Sequence, residues 1–397
     1  KFIIHVPDDT CCRRGLLFRQ INRCFACFLF LIFVSLYPYN KSFNSSILMN
    51  TRAVFAVVML LSVCLGMGGR VTSGGVSDLD VQDSTISVVA YFCKNDTMKY
   101  VRTQTEFSIE NGDTIEKEDK LRETFMLIVR DSTSDGYKIE FIPLAIEYEK
   151  DTAESVESRL KSTLLEHFKG VTAVFSTDEY GTITGLDNWK EIRDKMKSCI
   201  KTMCDSLYSL TSGLDSFMPR SKFEGLMTLM LSSEQGVLSS YDELSTLFSL
   251  HGSMFNIGEK TVDNADKDSS FTTILVGYAP YDEYGFDYDY NILGRTVTKY
   301  TPEETNNMVG GVFNILLQDT VADNVNKILR DSINMGMTIT QLEDYHLFYN
   351  GWPCMMRTQK IVELGPRTKV TTDEISWTYR SWRQYATKSE GTHATSL

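Results

Sequence analysis

Apolar residues in this chain return at every second position in some stretches and at every third or fourth in others. The order of the two rhythms limits what it can fold into. Residues 99–109 alternate loosely and end on Phe107 and Ile109 before the turn Asn111-Gly112-Asp113. Phe125, Leu127 and Val129 share one face, Ser134-Asp135-Gly136 is turn chemistry, and Tyr137, Ile139 and Phe141 resume the alternation. This is the pattern of a β-hairpin. Further strands are expected at 171–176, 182–186, 271–278, 287–297, 341–349, 355–364 and 369–379.

Helical spacing falls between these groups. Asp151-Thr-Ala-Glu154 offers an N-cap and an acidic first turn, Val156, Leu160, Leu164 and Phe168 form an i, i+4 stripe, and Gly170 stops it. Asp187 reads as the cap of a second helix with Ile192, Met196, Ile200, Met203 and Leu207 inside. Helices are also expected after Pro219 and around 241–248, and residues 256–270 read as a surface loop. Thr301-Pro-Glu-Glu304 combines an N-cap, a first-turn proline and a capping-box glutamate, with a break in the following helix near Asp319. Strands in hairpin groups with helices inserted between groups predict an α+β fold: a mostly antiparallel curved sheet packed against several amphipathic helices.

The domain expectation follows from the leader. Met49 is the first methionine; a short positive start at Arg52, an apolar run from Ala53 to Leu65 and small residues to Gly75 read as a signal peptide over 49–75. Residues 1–48 then read as translated upstream sequence, 76–386 as one large domain (divisible into 85–255 and 270–386), and 387–397 as a disordered tail. The expected location is outside the cytoplasm, in the periplasm or at the surface of a Gram-negative cell. Leu61-Ser-Val-Cys64 approaches a lipoprotein box, but Val63 stands where a small residue is needed. No membrane span is expected in the mature chain.

Residues 1–75 hold eight Lys/Arg and two Asp/Glu, so 32 basic and 50 acidic residues remain, a formal charge of −18. Such a surface repels phosphate backbones and argues against nucleic acid as a partner. Four cysteines remain, Cys93, Cys199, Cys204 and Cys354, too few for a disulfide framework in about 320 residues.

The search for chemistry returns no catalytic, cofactor-binding or metal-binding residues. Asp287, Asp289 and Asn291 begin like a calcium loop, but Ile292 and Thr298 stand where it needs glycine and glutamate. Ser158-Arg-Leu-Lys161 and Ser198-Cys-Ile-Lys201 match Ser-x-x-Lys without its companion motifs. His167, His251, His346 and His393 have no second ligand at zinc spacing. Gly310-Gly311 marks a close helix contact or a kink, and the methionines fit a helical core or an adaptable apolar pocket.

Phe175-Ser-Thr-Asp-Glu-Tyr-Gly181 before a helix and Tyr349-Asn-Gly-Trp-Pro353 before alternating strands resemble a family of uncharacterised exported proteins of Bacteroides-type bacteria. The architecture is also distantly similar to half-barrel periplasmic lipoprotein carriers. The resemblance implies no reaction and no cofactor. The expectation is therefore a non-enzymatic exported binding protein, its partner an apolar or amphipathic small molecule or an envelope protein. Two alternatives stand beside it: a hydrolase using carboxylates such as Asp282, Glu283, Asp287 or Asp289, and a structural part of an envelope assembly.

Overall fold

A computed structural model describes residues 85–110, 112–114, 119–149, 171–210, 214–263, 270–279, 288–332 and 335–382. The first strands are β1 (Thr85–Ser87), β2 (Thr97–Glu110), β3 (Asp113–Thr114), β4 (Asp119–Thr133), β5 (Gly136–Glu149), β6 (Ala173–Thr177) and β7 (Ile183–Leu186). Helices α1 (Trp189–Leu210), α2 (Leu214–Phe217), α3 (Arg220–Met230), α4 (Glu234–Leu238) and α5 (Asp242–Leu247) come next. They are followed by β8 (Met254–Asn256), β9 (Gly258–Asp263), β10 (Ser270–Tyr278) and β11 (Tyr290–Tyr300). Then come α6 (Pro302–Leu316), α7 (Asp319–Ser332), β12 (Met337–Leu347), β13 (Pro353–Leu364) and β14 (Arg367–Ser381).

Twelve strands form one sheet in the order β7-β6-β5-β4-β2-β14-β13-β12-β11-β10-β9, with β3 beside β2, while β1 and β8 make a small separate pair. Every pairing is antiparallel. The seam between the early and late parts of the chain is β2 with β14, paired from Glu110–Arg367 to Thr97–Ser381 with one register shift between Trp377 and Tyr379.

This overturns the α+β expectation. Strand outweighs helix, and the architecture is one large antiparallel sheet, not a helix-rich α+β packing. The physical reason lies in ladder hydrogen bonds, which carry strands past the point where apolar alternation stops. β2, β4 and β5 run 14, 15 and 14 residues, whereas α2, α4 and α5 run four, five and six. The expected surface loop at 256–270 likewise contributes the edge strand β9, paired to β10 from Gly258–Val276 to Asp263–Phe271. The helix expected at 151–170 lies outside the described residues.

Cross-strand register decides which side chains share a face. Tyr100, Phe125, Ile375, Met356, Tyr345, Ile292 and Val276 lie on one face of successive strands, and all are buried. We call this the inner face. Helix α5 covers it, with the Tyr241 ring before α5 set edge-on to Phe141 of β5, centroids 5.5 Å apart. Ile192, Met196 and Ile200 of α1 are buried as their spacing predicts, and Met218, Phe223, Leu244 and Leu247 join the same core.

The expected turns and caps are largely in place. Thr301 and Glu304 exchange hydrogen bonds, Thr301 N–H to Glu304 Oε2 at 2.7 Å and Glu304 N–H to Thr301 Oγ1 at 3.2 Å. The break before Asp319 separates α6 from α7. Asp187 serves the sheet instead of a helix cap: its carboxylate accepts from Lys138 Nζ at 2.7 Å and Ser176 Oγ at 2.7 Å.

Candidate functional site

Below the apolar band, the inner face turns polar while remaining buried. Arg102 on β2 is opposed in register by Glu123 on β4 and Ile375 on β14. One strand away, Gln104 faces Asp373, Thr371 faces Lys360 of β13, and Lys360 faces Gln341 of β12. Thr272 of β10 and Thr296 of β11 continue the row, their hydroxyls 3.0 Å apart. Arg102, Asp373, Thr371, Lys360, Lys369, Glu343, Thr272 and Ser270 are all buried. Charged side chains are rarely buried without partners, so this belt is the feature of the sheet that most needs an account.

Arg102 is its centre. Its guanidinium donates to Asp373 through Nε at 2.9 Å and Nη2 at 2.7 Å, a two-point contact that fixes the fork in plane. Nη1 donates to Glu123 Oε2 at 3.2 Å and to Glu243 Oε1 at 3.1 Å, and Asp242 Oδ2 stands 4.0 Å from Nη2. Strands β2, β4 and β14 and helix α5 thus converge on one cation. Burial works against the Arg102 charge, but Asp373, Glu123 and Glu243 outweigh it and raise its pKa. The anions are in excess: burial, then the Glu123 carboxylate, push Glu243 up to about 8 against the pull of Arg102. Lower on the belt, Lys369 pairs with Glu106, and Gln341 Nε2 donates to Glu343 Oε1 at 2.7 Å. The Thr371 hydroxyl is buried without a hydrogen-bond partner among the described residues. Beneath the belt the face is apolar again at Val362, Leu364, Ile339 and Met337.

The residues singled out from sequence do not meet here. Asp282, Glu283, Asp287, His167, His393 and the Ser158/Lys161 pair lie outside the described residues. Asp289 precedes β11 and its Oδ2 accepts the Tyr349 N–H at 2.8 Å. His346 sits 2.8 Å from Asp344 and stacks on Tyr288 with ring centroids 4.1 Å apart. His251 is buried among Phe92 and Phe248, with Nε2–H donating to the Gly351 carbonyl at 3.0 Å. Burial lowers its pKa to about 4, so the ring is neutral. Ser198 and Lys201 are exposed on α1. Cys93, Cys199, Cys204 and Cys354 all remain thiols, and burial pushes Cys204 up to about 12. Among the described residues no His/Cys/Asp/Glu group is arranged to hold a metal ion, and no helix is long and apolar enough to cross a membrane.

Sequence reasoning missed Arg102, Asp373, Glu243 and Thr371. Their signal was faint: Arg102 follows Met98 and Tyr100, and Asp373 precedes Ile375 and Trp377, on the same side of an alternating strand.

No protein-family model matches the chain, and no curated protein matches it. The resemblance to exported Bacteroides-type proteins therefore gains no support from relatives. Among solved structures, one described as "Lipid-protein interactions in lipovitellin" aligns with TM-score 0.33 and 8% identity, covering 73% of this chain and 26% of that one. The chain thus spans about a quarter of that protein's length. DynF from the dynemicin biosynthesis pathway of Micromonospora chersina aligns at TM-score 0.17 and 5% identity, covering 78% and 92%. Ail, the attachment invasion locus protein of Yersinia pestis, aligns at 0.14 and 8%, covering 73% and 100%. At these scores the likenesses define neither a family nor an activity.

Proposed function

We propose that this chain is an exported, non-enzymatic binding protein whose inner sheet face takes an amphipathic ligand. The observation that carries the reading is the belt itself, a band of buried polar and charged side chains between two apolar zones of one face. A ligand with a polar group and an apolar body matches that sequence of surfaces. Its polar group would lie beside Thr371 and Lys360, and its apolar part along Val362 and Ile339. The Thr371 hydroxyl, unpartnered among the described residues, supports this placement, since a buried hydroxyl without a partner costs roughly 1–3 kcal/mol that a ligand oxygen or nitrogen would recover.

Native mass spectrometry of protein purified from its own host tests the reading. A retained mass of lipid size, lost on delipidation and restored by added lysophosphatidylcholine or dodecylamine, is the expected result. Thr371→Val and Lys360→Met should weaken that rebinding while leaving the fold intact. A bare chain that takes up neither amphiphile refutes the proposal.

A further inference from the structure

Five tyrosines are exposed among the described residues as large apolar side chains: Tyr91, Tyr180, Tyr278, Tyr349 and Tyr379, with 39% to 63% of each surface open. All five lie at the same end of the sheet. Tyr278 ends β10, Tyr349 follows β12, and Tyr379 lies near the end of β14, opposite Lys99 at the start of β2. Tyr180 is in the turn between β6 and β7. Tyr91 precedes β2 and is tied to the same end by hydrogen bonds, its N–H donating to the Asn350 carbonyl at 3.0 Å. The Ala90 N–H donates to the Tyr180 carbonyl at 2.9 Å. The rings are thus carried by a rim whose backbone is pinned, although no ring is needed for the core.

From β14 to β10 is four strand steps, roughly 19 Å at the usual spacing between strands. That reach exceeds one small molecule and suits an extended chain of rings. Exposed acidic residues share the rim, with Asp135, Glu179 and Asp289 among them, and Lys94 is matched by Asp131 at 3.8 Å. Anionic bilayers and nucleic acids are therefore repelled. A tyrosine ring offers its electron-rich face to polarised C–H groups and its hydroxyl to hydrogen bonding, which is the combination a sugar ring answers on its two surfaces.

We propose that this rim is a binding surface for a neutral polysaccharide, with Tyr91, Tyr180 and Tyr349 as its central platforms. This site is separate from the inner-face belt and does not depend on it. The test is affinity electrophoresis of the full chain in native gels containing soluble mixed-linkage glucan, mannan or xylan. Retardation by at least one polymer is expected. Each Tyr→Ala change should weaken it about tenfold, and the Tyr91→Phe/Tyr180→Phe/Tyr349→Phe triple variant should keep much of it. The single variant Tyr180→Ala, in an exposed turn, tests the idea without disturbing the core. Equal mobility in all three gels overturns the proposal. So does retardation that survives all three alanine changes in a chain with an unaltered melting temperature. Sedimentation with phosphatidylcholine vesicles, lost in the same variants and without polymer binding, would reassign the rim to a membrane surface and also overturn it.

Discussion

Arg102 on strand β2 and Glu243 on helix α5 meet at 3.1 Å, a hydrogen bond from the guanidinium that joins the sheet to the layer above it. The same guanidinium holds Asp373 from the far end of the chain and Glu123 from the neighbouring strand. One residue therefore fastens three strands and a helix.

Arg102→Met should destabilise the fold by about 3–5 kcal/mol, because it leaves buried carboxylates without a cation. Arg102→Lys restores charge but not the two-point contact with Asp373, and should recover only part of the loss. Urea unfolding of the three proteins at one pH measures both; equal stability of the methionine variant and the parent would contradict the role given to Arg102.

Glu243 makes stability fall as pH rises from the acidic range to just above neutral. Its folded pKa, about 8, lies above the ordinary glutamate value of 4.5. The folded chain thus holds a proton that the unfolded chain has lost between those values, and stability falls as pH rises through this window. The slope reaches at most about 1.4 kcal/mol per pH unit. Glu243→Gln, which mimics the protonated side chain, should flatten the decline between pH 6.5 and 8.

His251 has the opposite sign. Its pKa is lowered from 6.5 to about 4, so the unfolded chain takes up a proton first and stability falls as pH drops from 6.5 towards 4. Between about 4.5 and 6.5 the two slopes oppose each other, and the parent should show a plateau. His251→Phe should expose the Glu243 slope from pH 4.5 upward, and Glu243→Gln the His251 slope below 6.5. Denaturation midpoints across pH 4–9 for the three proteins would show it; parallel curves would not fit.

Gly351 lies in the turn between β12 and β13 at φ +83°, and a Cβ there would come 2.4 Å from the Val89 carbonyl oxygen. Gly112 has a similar φ of +91° with open space around it. Gly351→Ala should therefore cost several kcal/mol, and Gly112→Ala only about 1–2 kcal/mol from backbone strain. Melting temperatures of the two variants give the comparison directly.

Local features of the fold were legible in the sequence. Ser134-Asp135-Gly136 turns the chain from β4 to β5, Thr301 and Glu304 cap α6, and Ile192 and Met196 face inward. These depend on neighbours within a few residues. The lower half of β2 was not read as part of a buried sheet because Arg102, Gln104 and Glu106 look like a solvent-facing edge. Their partners Asp373, Thr371 and Lys369 arrive from more than 250 residues away. Register over that separation is not written in any window of sequence. The candidate belt was therefore invisible, and the inferred helix content too high, for the same reason.

The seam between β2 and β14 gives the chain an order of assembly. During synthesis β2 can zip to β4 at once, but its other edge stays bare until residues 367–381 leave the ribosome. An unpaired strand edge of that length invites the wrong neighbour, and contacts so distant form slowly. The chain must be shielded until its last strand arrives, so a version cut short before Arg367 should aggregate instead of folding in part.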